Sequence, residues 1–312
     1  MKVLIVGNYN PGHFSPFVVE QAKALQALGV EIDYYGVVGK GALGYFKNRT
    51  GLIRKIKEVK PDIVHAHYGL SGLLANLQRR VPTVVTYHGS DVHSGGMVMR
   101  LSKMAMRLAR YNIFVTRNLQ ELAGYRKANG IVIPCGIDGD LFTPGDKAEA
   151  RQRLGWDAGG KYIVFAGAFT NAVKNSELAK QTAELVDGAH LIEMREWTRQ
   201  QVVDVMRAAD CLLMTSHREG SPQVIKEAMS VNLPIVTVNV GDVADVIGDT
   251  QGCHIVGQRS PEALAEAIAK VFERNQRTQG RQRILDLQLT NPQVAHRVLD
   301  VYNKVLGEKQ NK

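Results

Sequence analysis

Short runs of consecutive apolar residues alternate, along all 312 residues, with longer stretches in which apolar residues recur every three or four positions. The runs are short and rich in Val and Ile, as strands buried on both faces are, and the longer stretches have the period of amphipathic helices. In the first half this pattern predicts strands at 2–6, 31–35, 62–66, 83–87, 111–115 and 131–133. Helices are expected between them at about 15–28, 47–59, 70–79, 97–109 and 118–128. A segment rich in breakers, from Pro134 and Gly136 to Pro144 and Gly145, then interrupts the alternation. It restarts with strands expected at 161–166, 189–193, 210–214, 234–238 and 253–256, and helices near 175–186, 198–208, 222–230, 260–274, 276–288 and 292–308.

A strand–helix alternation of this kind makes parallel sheets with helices on both faces. The expected fold class is therefore α/β, as two doubly wound, Rossmann-like domains facing each other across a cleft. The first spans 1–145, with the C-terminal helix 292–312 packing back on it, and the second spans 146–291. Ligands of such folds bind outside the carboxyl ends of the strands, so the loops there hold the candidate chemistry.

The loop after the first strand reads Gly7-Asn8-Tyr9-Asn10-Pro11-Gly12-His13-Phe14-Ser15-Pro16. It lacks the glycine spacing of a dinucleotide fingerprint and of a P-loop, which argues against a dehydrogenase. Gly12 lies where backbone N–H groups ahead of a helix could approach a ligand. In the second half, a strand ending at Met214 runs through Thr215-Ser216-His217-Arg218-Glu219-Gly220-Ser221-Pro222 into Gln223-Val224-Ile225-Lys226-Glu227-Ala228-Met229. Ser221 suits an N-cap and Pro222 the first helical position. The Gly220 and Ser221 amides would then face a diphosphate, and Glu227 could accept hydrogen bonds from vicinal hydroxyls. A capped helix whose Glu227 merely faces solvent is the alternative.

Composition narrows the class. With 45% apolar and 22% charged residues the chain is an ordinary globular protein. Cys135, Cys211 and Cys253 are widely spaced, match neither a disulfide framework nor a zinc pattern, and suit a reducing compartment. The N-terminal apolar run is too short for a signal peptide, so the expected location is cytoplasmic. The net charge of +9 is uneven: residues 1–150 carry 19 Lys+Arg against 11 Asp+Glu, and the remainder 20 against 19. The helix at 97–110 places Leu101, Met104, Ala105 and Leu108 on one face and Arg100, Lys103, Arg107 and Arg110 on the other. Peripheral contact with an anionic membrane, on its inner face, and a merely solvated basic face both remain open. Nucleic acid is not expected as a partner, because aromatic residues make up only 6% and no recognition motif occurs.

Glu219-Gly220-Ser221-Pro222 followed by Glu227-Ala228 resembles the spaced glutamate pair of the retaining GT-B glycosyltransferases of family 4. Thr86-Tyr87-His88-Gly89-Ser90-Asp91 resembles that family's histidine loop. Val132 to Asp138, with Phe142 and Pro144, resembles its interdomain segment, and Ala208-Ala209-Asp210, Pro234-Ile235-Val236 and Gly241-Asp242-Val243 resemble its donor domain. The resemblance implies transfer of a sugar from a nucleoside-diphosphate sugar, UDP- or GDP-linked, to a saccharide or lipid-linked acceptor, in synthesis of cell-surface polysaccharide or glycolipid. It implies that Glu227 binds ribose, Glu219 the sugar hydroxyls, Gly220, Ser221 and Pro222 sugar and diphosphate, and His88 a sugar hydroxyl or the acceptor. Lys174 stands where the family holds phosphate, but Ala168 occupies the position of the usual arginine. Arg195 and Arg218 are the candidate replacements. Neither an Asp-x-Asp pair nor metal-ligand spacing occurs, so no cofactor and no metal are expected. A catalytically silent homologue and a nucleotide-sugar epimerase are the alternatives.

Overall fold

The computed structural model describes residues 1–310, with side chains described through Gly307. The chain divides into two compact units, Met1–Gly136 with Asn291–Lys312, and Ile137–Thr290.

The first unit runs β1 (Lys2–Asn8), α1 (Pro16–Ala27), β2 (Glu31–Val37), α2 (Gly41–Phe46), α3 (Arg49–Val59), β3 (Ile63–His67) and α4 (Gly69–Asn76). It continues through β4 (Thr83–Tyr87), α5 (Ser90–His93), α6 (Gly96–Leu108), β5 (Tyr111–Phe114), α7 (Arg117–Leu122) and β6 (Gly130–Val132). The strands are parallel, in the order β2-β1-β3-β4-β5-β6. The order reverses between β1 and β3, so the connections leave those two strands toward opposite faces and open a crevice at their carboxyl ends. Two glycines let α4 lie close over this edge. A Cβ on Gly69 would stand 2.1 Å from Ser102 Oγ of α6, and one on Gly72 would stand 2.6 Å from a Val85 methyl of β4.

The second unit runs α8 (Lys147–Leu154), β7 (Lys161–Phe165), α9 (Ser176–Glu184), β8 (Ala189–Glu193), α10 (Arg199–Ala208) and β9 (Cys211–Met214). After these come α11 (Gln223–Ser230), β10 (Ile235–Val238), α12 (Val243–Ile247), β11 (Cys253–Val256), α13 (Pro261–Arg274) and α14 (Gly280–Asp286). Its parallel strands are ordered β11-β10-β9-β7-β8, with the reversal between β7 and β9. The buried strands β7, β9 and β10 form its core with α10 and α11.

The last helix, α15 (Asn291–Gln310), belongs to the first unit. Val294, Ala295, Val298, Val301, Tyr302 and Val305 pack in one cluster with Val3, Ile5 and Val18. Residues 137–145, assigned to the first domain from the sequence, instead pack in the second. Ile137 and Phe142 are buried in its core, and the Ile137 N–H donates to Leu289 O at 2.9 Å. Breaker-rich composition marked a boundary region, but burial of two large apolar side chains decides which side of it the segment joins. The helix expected over 118–128 stops at Leu122, and Gly124, at φ 67°, turns the chain away from helical geometry. The short helices α2, α5, α8 and α12 were not anticipated, being too short to develop a clear period.

Candidate active site

At the carboxyl edge of the second sheet, the loops after β7 and β9 flank the topological switch point. The loop after β7 ends in a 3-10 turn, Ala172–Lys174, which is tied to the end of β9. Thr215 Oγ1 lies 2.9 Å from both Lys174 O and Asn175 O, and the His217 N–H donates to Val173 O at 2.9 Å. The Lys174 stem lies over Gly167, where a Cβ would stand 3.0–3.2 Å from Lys174 Cγ, Cδ and Cε. Its ammonium donates to Glu219 Oε1 at 2.8 Å. Lys174 and Glu219, 45 residues apart, are thus joined across the switch point. An ammonium has three donors, so this contact leaves capacity for a second acceptor.

Glu227 is buried on α11 and accepts from Arg199 Nη1 at 2.6 Å. Arg199 opens α10 behind a Thr198–Gln201 capping box, and its guanidinium carbon sits 4.6 Å from the centre of the Phe142 ring. Phe142 is held by hydrogen bonds from Ser230 Oγ (2.7 Å) and Arg281 Nη1 (2.9 Å) to its carbonyl. Arg195, one candidate for the missing arginine's place, is largely exposed and pairs with the neighbouring Glu196 at 3.0 Å. Arg218 is exposed as well. Arg199 was missed from the sequence. The Thr198-x-x-Gln201 box, which fixes the start of α10 and so the arginine beside it, was the available signal.

The loop between Glu219 and α11 differs from its expected form. The helix starts at Gln223 after Pro222, and no side chain caps it. Ser221 instead donates to Asp242 Oδ2 (2.6 Å) and accepts from Lys226 Nζ (2.5 Å). Lys226 is completely buried, and a buried ammonium needs anionic and polar partners, so Ser221 is drawn toward that pair rather than onto the helix amides. Burial raises the Asp242 carboxyl above its ordinary range, against the lowering effect of Lys226 and Ser221. The loop after β10 presses on the same segment. Gly241 has φ 62°, and a Cβ there would stand 2.4 Å from Gly220 O.

The switch point of the first unit has different chemistry. His67, at the end of β3, is buried, and its Nδ1 lies 3.0 Å from His88 Nε2, while His88 Nδ1 lies 3.6 Å from Cys135 Sγ. Both ring nitrogens of His88 therefore have protein partners. His65, stacked on His67, is buried between Tyr302 Oη (2.6 Å) and Thr86 Oγ1 (2.7 Å). Desolvation holds His65 well below the usual imidazole range and His67 down to about 3, so both are neutral. Tyr68 has φ 73°, a strained backbone for an aromatic residue, of the kind that gathers at functional sites. It lines a cavity of about 300 Å³ with Asn8, Tyr45, Ser90, Asp91 and Ser94. Burial pushes Asp91 up to about 6, although it accepts from the Gly89 and His88 amides. Gly12 is exposed, and its N–H, expected to meet a ligand, donates to Tyr9 O at 3.0 Å in a tight turn.

Among the described residues, no group of three or more His, Cys, Asp and Glu could hold a metal ion, and no helix is long and apolar enough to cross a membrane.

Two parallel α/β units with these switch points define the GT-B class, and comparisons with known proteins agree. The family model described as Glycosyltransferase Family 4 matches residues 15–141, and that described as Glycosyl transferases group 1 matches residues 162–284. The chain belongs to this glycosyltransferase family. Among its relatives is TuaC of Bacillus subtilis (strain 168), named a teichuronic acid biosynthesis glycosyltransferase, 28% identical over 69% of this chain and 62% of TuaC. The D-inositol 3-phosphate glycosyltransferase of Mycolicibacterium gilvum is 25% identical over 70% of this chain and 60% of its own. The chain thus spans about three fifths of the length of these curated relatives. In fold it is similar to the sucrose-phosphate synthase of Thermosynechococcus elongatus (TM-score 0.82, 16% identity, 99% of this chain and 100% of that one). It is also similar to HepE of Anabaena in complex with UDP (TM-score 0.78, 16% identity, 97% and 100%).

Proposed function

We propose that the chain transfers a sugar from a nucleoside-diphosphate sugar, UDP- or GDP-linked, to a hydroxyl of a saccharide or lipid-linked acceptor, with retention of the anomeric configuration. The observation that carries this reading is the Lys174–Glu219 pair across the switch point, with Glu227 and Arg199 beside it on the same sheet edge. Lys174 and the backbone of Gly220–Pro222 are assigned to the diphosphate. Glu227 is assigned to the ribose hydroxyls with Arg199 as its support, and Glu219 to the sugar. The bond from the anomeric carbon to the diphosphate oxygen breaks, a bond to the acceptor oxygen forms on the same face, and the acceptor proton passes to the departing phosphate. The main demand is to hold charge on that leaving group, which fixed donors can meet without a metal ion. Supporting the donor class, the solved structures of HepE hold UDP and UDP-glucose. The name of TuaC supports a role in cell-surface polysaccharide synthesis.

Calorimetric titration with UDP, GDP and their sugars tests the donor site, and incubation with acceptors in excess chelator tests the reaction. Binding lost in Lys174→Ala and turnover unaffected by chelator are expected; a chain that binds none of these nucleotides overturns the reading. Binding without turnover would favour a silent homologue, the reading that Ala168 supports by standing where the family usually has arginine.

A further inference from the structure

The outward face of α6 is not the one its sequence suggests. Ser102, Ala105 and Met106 are buried, whereas Met97, Met104 and Leu108 are 67%, 47% and 44% exposed. At 3.6 residues per turn these three apolar positions fall within about 40° of one another, and Arg100 and Arg107 lie along one flank of the stripe, also exposed. The helix is about 20 Å long at 1.5 Å per residue, and a cavity adjoins each end. At its start, Val98 shares the cavity of Tyr68 with Tyr45 of α2, a helix whose Leu43 is 80% exposed between Lys40 and Lys47. At its end, Leu108 lines a second cavity of about 600 Å³ with Arg79, Arg80 and Arg110. Of the neutral polar groups there, Gln78 and Asn76 are engaged with nearby backbone, so the cavity's character is cationic. From residue 69 to residue 110 the chain has six Lys and Arg against a single acidic residue, Asp91, which is buried.

We infer that this face of the first unit docks on an anionic lipid bilayer, with Met97, Met104, Leu108 and Leu43 at the headgroup boundary and the arginine cavity around lipid phosphates. Exposed Met and Leu beside Arg fit such an interface, where both apolar burial and charge contribute. A nucleic acid would use the arginines and leave the apolar stripe in water. The inference does not rest on the donor site, which lies in the other unit.

The full chain is floated with vesicles of neutral phosphatidylcholine, or of phosphatidylcholine with about one third phosphatidylglycerol. Binding to the anionic vesicles alone, weakened by salt, is expected. Arg100→Ser with Arg107→Ser should lower the partition coefficient by roughly twentyfold to thirtyfold. Met104→Ser with Leu108→Ser should lower it on the same vesicles, with unchanged melting temperature and UDP binding. Absence of binding to anionic vesicles at low salt, equal binding to both vesicles, or retention on heparin without vesicle binding would overturn the inference. Loss of UDP binding with vesicle docking intact would count against the donor site only.

Discussion

The two sheets reverse their strand order in the same way, yet their switch points carry opposite chemistry. In the second unit the edge is ionic: Lys174 on Glu219, Arg199 on Glu227, and Lys226 buried with Ser221 and Asp242. In the first, two imidazoles are kept uncharged by burial, and a strained tyrosine lines a small cavity with one buried carboxyl, Asp91, raised to about 6. A shared topology supplies a crevice, and the side chains at the strand ends decide what the crevice can hold. Fixed cations suit a diphosphate. Neutral rings and hydroxyls can pair with an alcohol through both donor and acceptor atoms.

The largest test of this contrast is Lys174→Ala. Removing a cation from the leaving group should lower kcat by about a hundredfold to a thousandfold. The two side chains are only 21% and 16% exposed, so leaving Glu219 unpaired should also lower the melting temperature, at a cost above the about 0–1 kcal/mol expected of a surface pair. A fall in melting temperature with kcat intact would make the pair structural. Next comes Glu227→Gln, which should weaken nucleotide binding about tenfold to a hundredfold, as hydrogen bonds to a charged acceptor contribute about 1.5–3 kcal/mol each. A 2′-deoxy nucleotide should lose affinity for the wild type but little more for this variant; equal losses in both would remove Glu227 from the ribose.

Gly241→Ala sharpens the comparison on the backbone side. The new methyl would collide with Gly220 O at φ 62°, so the loop carrying Glu219 must shift. A stability loss of about 1–3 kcal/mol in urea unfolding is expected, together with a higher donor KM. An unchanged KM would show that this loop does not touch the donor.

The last test is a pH dependence arising in the first unit. His67 is held down to about 3, whereas an unfolded imidazole protonates near about 6.5. The stability tied to its neutral form is complete above pH 6.5 and falls as pH drops toward 3, at about 1.4 kcal/mol per pH unit. His65 acts in the same direction. Asp91, raised to about 6, acts in the opposite one, and its contribution is lost as pH rises from about 4 to 6. Between pH 7 and pH 5, His67→Gln should therefore lose about 2 kcal/mol less than the wild type in urea unfolding. Equal losses would mean that His67 is not held neutral in the folded unit.

Much of the fold was legible because parallel strands buried on both faces must be short apolar runs, and β1, β4 and β9 read as such at once. Glu219, Glu227 and Lys174 were legible for a related reason: they sit at fixed places beside strand ends and helix starts. Arg199 and Arg195, four residues apart after the same strand, could not be ranked by composition. Only the capped start of α10 and the Phe142 ring direct Arg199 to Glu227. Ser221 looked like an N-cap because local hydrogen bonding favours that role, but Lys226 and Asp242 are stronger partners brought in from elsewhere on the chain.

Local pattern by itself thus determined the alternation of strands and helices and the family motifs at the strand ends. These depend on period and spacing, which the chain carries in sequence. Tertiary structure alone decided which ions pair, that residues 137–145 join the second unit, and that Met104 and Leu108 face outward. Each of these depends on which surface a side chain meets, and contacts between residues such as Lys174 and Glu219, 45 positions apart, exist only once both sheet edges are assembled.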